Sequence, residues 1–392
     1  MIKLFKALYG SIIYGLSYIT PKSNKIWVFG SMGGQAFSDS PKYIYNYIYN
    51  HNLDVEAIWL TRSPLVFRFL KTANKRVYFI NSFKGVWFAL RASFGIVSHG
   101  LIDINRYSCA RLKIIECWHG VPLKPVLLSD KKKEAIQKRN RAKKLKFIFP
   151  FLNKQIQYND FAAICGSGDL CNRILKKVFG SKSPILNLGF PRLDGLFSHE
   201  TNLTSLKLGE LKKNKKNIGI YLPTYRQKEE FDIVNYFTEN SEQIYKSLEQ
   251  TDTYLFVKMH SFEKQSPINK LKFERIIYID NEDIKDDIYS ILGLFDFLIT
   301  DYSSVIFDFL ILARPVFLLI PDRDKYIKSN GDFVYDYLEL GLNVYNDWGS
   351  CMDHIKINKE FDRPIYNKLR TEIHRYKDGN SSKRLFDYLN SK

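Results

Sequence analysis

Cysteine is scarce in this chain: there are five in 392 residues, with no Cys-x-x-Cys spacing. The nearest pairs, Cys109/Cys117 and Cys165/Cys171, come without histidines at zinc spacing. This argues against a disulfide framework and a structural metal site, and for reduced thiols in the cytosol. A long apolar run is also missing. The stretch from Ala7 to Thr20 is uncharged, but it falls short of the ~20 apolar residues that a membrane-spanning helix needs. Lys3 and Lys6 precede it, yet no small-x-small cleavage site separates it from Lys22, unlike a signal peptide. Residues 1–22 read either as an amphipathic helix lying in a membrane interface or as a first helix packed on the fold.

Acidic residues are in deficit. Asp and Glu number 41 against 59 Lys and Arg, a formal charge of +18. Such a surplus suits nucleic acid, an anionic membrane surface or a phosphate-rich substrate. With 45% apolar residues the chain is too hydrophobic for disorder, and with 26% charged residues too polar for a multispanning membrane protein. Its length favours two domains.

The organisation is an alternation of strands and helices. Apolar runs read as strands at Lys25–Gly30, Val55–Thr61, Arg76–Ile80, Phe94–His99, Lys113–His119, Ala162–Ser167 and Ile185–Gly189. Between Thr201 and Asn217 the composition turns polar and lysine-rich, which marks a linker. A second series follows at Asn217–Thr224, Thr253–His260, Arg275–Asp280, Phe295–Asp301 and Arg314–Ile320, with helices at 239–249, 284–293 and 304–313. The expectation is an α/β chain: residues 23–205 as one Rossmann-like domain, and residues 215–392, with C-terminal helices, as another. Ligands on such domains sit at the carboxyl ends of strands, and paired domains hold them in a cleft.

Those strand ends carry the polar chemistry. Three of the seven histidines, His99, His119 and His260, fall there. In Trp118-His119-Gly120-Val121-Pro122, a tight turn directly after the histidine holds an imidazole suited to take a proton from an alcohol. Arg226 follows the strand-end Pro223-Thr224-Tyr225, where its forked donors could clamp a phosphate. Lys258 and His260 share one strand face. Ser303 and Ser304 follow Asp301-Tyr302 and precede an apolar helix, a place where hydroxyls and free N–H groups favour an anion.

The strings WHGVPLK, YLPTYR, VKMH and ITDYSSVIFDFLILARPVFL resemble the CDP-glycerol glycerophosphotransferase family of teichoic-acid primases, polymerases and capsule polymerases. SDSPKYIYNYI (Ser38 to Ile48) and LGFPRLD (Leu188 to Asp194) are weaker echoes, and together the matches run from about residue 25 to about residue 340. The resemblance implies two Rossmann-like domains facing a cleft (GT-B-like) and transfer of a polyol phosphate from a CDP-polyol, with CMP released. It implies that His119 is the base and His260 the second essential histidine, near the donor pyrophosphate. Arg226, Lys258, Ser303 and Ser304 would hold donor phosphates, and Asp301 and Asp308 would orient the motif. His99 stands where the family often has a small polar residue, and so carries no catalytic role. The length, near the two-domain minimum, argues against processive polymerisation.

The partners implied are a CDP-polyol donor, glycerol phosphate first among the polyols, and a lipid-linked glycan or polyol-phosphate acceptor. An anionic membrane surface is the third, with the protein peripheral on the cytoplasmic face. No carboxylate cluster demands a metal, which leaves Mg2+ on the donor pyrophosphate as the one open cofactor. A nucleotide-sugar transferase of the same fold would release a nucleoside diphosphate instead. A nucleic-acid-binding protein is the alternative that the charge suggests: Lys131 to Phe147 holds nine basic residues and one acid, though without a recognised nucleic-acid motif.

Overall fold

The computed structural model describes residues 2–123, 161–179, 183–198, 203–226, 231–259, 273–280, 287–330, 333, 341–357 and 363–392. The basic run Lys131–Phe147 and His260 lie outside them. The chain divides into two compact units. One holds the residues up to His119, the described residues from 161 to Asp194, and residues 378–392; the other holds the described residues of 120–123 and 195–377.

The first unit is built on seven strands: β1 (Ser23–Phe29), β2 (Glu56–Thr61), β3 (Val77–Phe79), β4 (Ala92–Val97), β5 (Lys113–Glu116), β6 (Ala163–Gly166) and β7 (Ile185–Asn187). They run parallel in the order β3-β2-β1-β4-β5-β6-β7. All six residues of β4 are buried, as expected of a central parallel strand covered on both faces. Helix α1 (Ile2–Ile19) packs through Ile13 on Val86 and Leu90 of α4 (Phe83–Arg91). Helix α2 (Asp39–Asn50) buries Ile44, Tyr45 and Ile48, and α3 (Pro64–Thr72) starts on a Ser63 cap with proline in its first turn.

In the second unit β8 (Asn217–Leu222), β9 (Thr253–Val257), β10 (Ile276–Tyr278), β11 (Phe297–Thr300), β12 (Val316–Leu319) and β13 (Asn343–Tyr345) form a parallel sheet ordered β10-β9-β8-β11-β12-β13. Its core joins Tyr221, Phe237, Leu255, Ile299 and Phe317 to Trp348, all nearly inaccessible. Burying each such side chain contributes ~1.5–3 kcal/mol, which explains why short apolar runs suffice as strands.

Two helices differ from the sequence expectation. The segment read as a linker contains a helix, Leu203–Lys213. The C-terminal helix Ser381–Asn390, expected with the second domain, belongs to the first unit and packs on α2. Asp194 secures it by accepting from the backbone N–H of Ser381 (2.8 Å) and Ser382 (2.7 Å). Gly189 lies against the same helix with φ +87°, and a Cβ there would sit 2.4 Å from Ser381 Oγ. Phe386 then packs on Trp27, ring centroids 5.5 Å apart.

Candidate active site

Both sheets reverse their strand order at the first strand, beside β4 in one and β11 in the other. Ligand sites in open α/β sheets form at the carboxyl edge of that reversal. At this edge the first unit brings His99 and His119 together. β5 ends at Glu116, and Trp118 turns the chain with φ +51°. The Trp118 N–H donates to Glu116 Oε1 at 2.9 Å, and its indole packs edge-on to Phe179 at 4.8 Å. This anchors the exposed His119 beside it. Its ring lies flat on that of His99, centroids 4.2 Å apart and planes within 9°.

His119 Nδ1 is 3.2 Å from the carbonyl oxygen of Ser98. A carbonyl only accepts, so this contact assigns the proton to Nδ1 and leaves a lone pair on Nε2. The protein mass around the ring, followed by the His99 imidazole, lowers the His119 pKa to about 4, against the pull of Asp39. The imidazole is therefore neutral at physiological pH.

The two weaker echoes meet the histidine turn here. Arg192 of LGFPRLD is fully buried, with Nη1 3.4 Å from Asp39 Oδ1 and 3.4 Å from the Trp118 carbonyl oxygen. Its backbone N–H donates to Ser40 Oγ at 3.3 Å. Asp39 opens α2 with φ +62°, a conformation rare outside glycine. Arg192 and Asp39 were visible in the sequence only as members of matching strings. Asp103, which turns inward below His99, was not singled out at all.

In the second unit the residues after β8, β11 and β12 form a closed network. Arg226 is buried, and its Nη1 donates to Asp301 Oδ2 (2.7 Å) and to the Thr224 carbonyl (2.8 Å). Its Nε and Nη2 bind Asp322 Oδ2 (2.6 Å) and Oδ1 (3.0 Å) as a bidentate pair. Burial works against the guanidinium charge, but Asp301 and Asp322 outweigh it and hold its pKa above the ordinary value. Asp301 also accepts from the Thr224 N–H at 2.9 Å, and Tyr302 donates to Asp322 at 3.0 Å. The fork expected to clamp a donor phosphate is thus closed on two carboxylates.

Ser303 and Ser304 precede the helix Val305–Leu310, and Ser303 Oγ accepts from the Val305 N–H at 3.3 Å. Six residues give a weak dipole, so the hydroxyls rather than the helix carry any anion affinity. Asp308 is wholly buried and accepts from the Tyr289 hydroxyl at 2.5 Å. Lys258 lies just past β9, its backbone N–H bound to the Tyr221 carbonyl at 3.1 Å. Among the described residues no three His, Cys, Asp or Glu side chains are arranged to hold a metal ion. None of the described helices is long and apolar enough to cross a membrane.

A teichoic acid glycerol-phosphate transferase of Staphylococcus aureus is 29% identical over 386 residues, 93% of this chain and 92% of that protein. A teichoic acid poly(glycerol phosphate) polymerase of Bacillus spizizenii is 27% identical over 343 residues, 83% of this chain and 82% of its own length. Among solved structures the wall teichoic acid polymerase TagF shares the fold, with a TM-score of 0.72 and 23% identity over 100% of this chain and 95% of that one. A variant of that polymerase soaked with CDPG matches with a TM-score of 0.71 and 22% identity over 100% of this chain and 98% of its own. The sequence pattern described as CDP-Glycerol:Poly(glycerophosphate) glycerophosphotransferase matches residues 12–391, and the chain belongs to that family.

Proposed function

We propose that the protein transfers glycerol phosphate from CDP-glycerol to a hydroxyl of a membrane-linked acceptor in teichoic acid synthesis, releasing CMP. The observation that carries this reading is the His119 imidazole: neutral, fixed through Nδ1, with an open Nε2 lone pair. Nε2 takes the acceptor's proton while the oxygen attacks the β-phosphorus, the one bearing glycerol. The bond from that phosphorus to the bridging oxygen breaks, and CMP leaves with the oxygen. Asp39 favours the imidazolium that forms, and His99 and Arg192 oppose it, so the proton is readily lost afterwards. Phosphoryl transfer asks mainly for positioning and charge stabilisation. His260, Lys258 and the hydroxyls of Ser303 and Ser304 are assigned to the donor pyrophosphate, as their sequence positions after β9 and β11 suggest. Arg226, committed to Asp301 and Asp322, is assigned to holding those loops. Any Mg2+ belongs with the pyrophosphate.

The acceptor side of this reading is an anionic membrane met by α1 on the cytoplasmic face. Leu8, Ile12, Leu16 and Ile19 are exposed along one side of α1, and α4 adds exposed Phe83 and Trp87 with Arg91 over the Trp87 ring at 5.6 Å. No acidic residue occurs before Asp39, whereas Lys3, Lys6, Lys22 and Lys25 do. The test of function is CMP release from CDP-glycerol with bacterial membranes as acceptor; no CMP, or release of a nucleoside diphosphate from a nucleotide sugar, overturns it. Membrane contact is tested by sedimentation with anionic vesicles. Ile12→Glu with Leu16→Glu should abolish binding, and unchanged binding removes this surface.

A further inference from the structure

We infer that Asp103 is a positioning residue for His119, acting through the peptide bond between Ser98 and His99. The inference rests on the reading of His119 as the base. Asp103 is wholly buried at the end of the short turn Gly100–Asp103 that follows β4. Its Oδ2 accepts from the N–H of His99 at 2.7 Å and of Ser98 at 2.8 Å, and its Oδ1 from the N–H of Gly33 at 2.7 Å. The His99 N–H and the Ser98 carbonyl belong to one peptide plane and point in opposite directions along it. One end of that plane meets the carboxylate and the other meets His119 Nδ1 at 3.2 Å.

Asp103 therefore reaches the imidazole through a planar, polarisable unit. A negative charge at the N–H end makes the carbonyl a better acceptor, which holds the proton on Nδ1 and keeps Nε2 basic. The same tie lays His99 flat against His119, with Ser98 Oγ 2.9 Å from His99 Nδ1. The turn has little room to relax, because a Cβ on Gly30 would sit 2.2 Å from the Asp103 carbonyl oxygen. Arg62 Nη1 braces its other side, donating to the Ile102 carbonyl at 2.6 Å.

Asp103 is faced by Asp39 of α2, Glu116 of β5, His99 of its own turn and Arg62 after β2. Burial raises its pKa to about 6, against three backbone N–H bonds. Protonation removes the negative end of the relay while His119, titrating at about 4, is still neutral. Transfer should be full above Asp103's titration and fall as pH drops through about 6, two units before the imidazole itself charges.

The test is kcat, KM for CDP-glycerol and the pH profile of D103N. The expected result is a loss in kcat of about ten- to a hundredfold with KM unchanged, and no acid limb near pH 6. D103E should regain part of kcat and an acid limb. Unchanged kcat and profile in D103N overturn the inference, as does an equal loss in D103N and D103E. If D103N does not fold, 15N spectra of the histidines in the wild-type protein decide. An Nδ1–H tautomer of His119 that weakens below pH ~6 upholds the relay, and an Nε2–H tautomer overturns it. Activity in H119A would sink the base reading itself; an inactive H119A beside a fully active D103N would sink only this inference.

Discussion

The two sheets share one winding order over their first six strands, but their carboxyl edges are held by different chemistry. In the first unit the edge is organised by backbone groups. A buried carboxylate gathers N–H donors, a carbonyl fixes an imidazole, and the ring that faces solvent carries no charge. In the second unit the edge is organised by charge: one arginine closes on two aspartates and ties together the ends of β8, β11 and β12. A neutral ring can gain and release a proton at its free nitrogen without disturbing its supports. A buried ion pair cannot give up a member so cheaply, because the partner is left uncompensated. One topology thus supplies a responsive edge and a rigid one.

The sharpest way to break this contrast is H119A, which should lower CMP release by ~10²–10⁴-fold while the melting temperature stays near wild type. Retained activity would make the first edge as structural as the second. R226M should act oppositely: it strands two buried carboxylates and costs ~3–5 kcal/mol of stability, read as a lowered denaturant midpoint. A folded, stable R226M that has lost only donor affinity would return the guanidinium to the donor. D194A removes the anchor of the C-terminal helix, with an expected loss of ~1–2 kcal/mol and little change in kcat. S303A should have the smallest effect, a rise in KM for CDP-glycerol of about two- to tenfold, measured by CMP release. An unchanged KM would leave Ser303 as a local cap of its helix.

Much of the fold could be read in the sequence because buried parallel strands are continuous apolar runs: β11, read from FLIT, is buried at all four positions. The strand β13, Asn343–Tyr345, escaped because Val344 and Tyr345, set between Asn343 and Asn346, give no such run. The helix Leu203–Lys213 escaped because its lysines resemble a linker. The site divides in the same way. His119 announced itself through the glycine turn beside it. The partners of Arg226 did not, since Asp301 and Asp322 lie 75 and 96 residues away in sequence. Asp103 is a lone aspartate in a loop: the amides of Ser98 and His99 lie in its own turn, but only the winding of β4 beside β1 and β5 brings Gly33 and His119 to them.

The helix Ser381–Asn390 also bears on how the protein is made. It is synthesised after every residue of the second unit, yet it covers α2 and is anchored by Asp194, 187 residues upstream of Ser381. During translation the first unit therefore waits with its Trp27 flank open until the second has been completed. A fragment stopping at residue 377 would keep that flank bare, so the first unit is no free-standing module for expression or domain exchange. Ribosome-stalled chains should show this order directly, with protease resistance of the first unit arriving last.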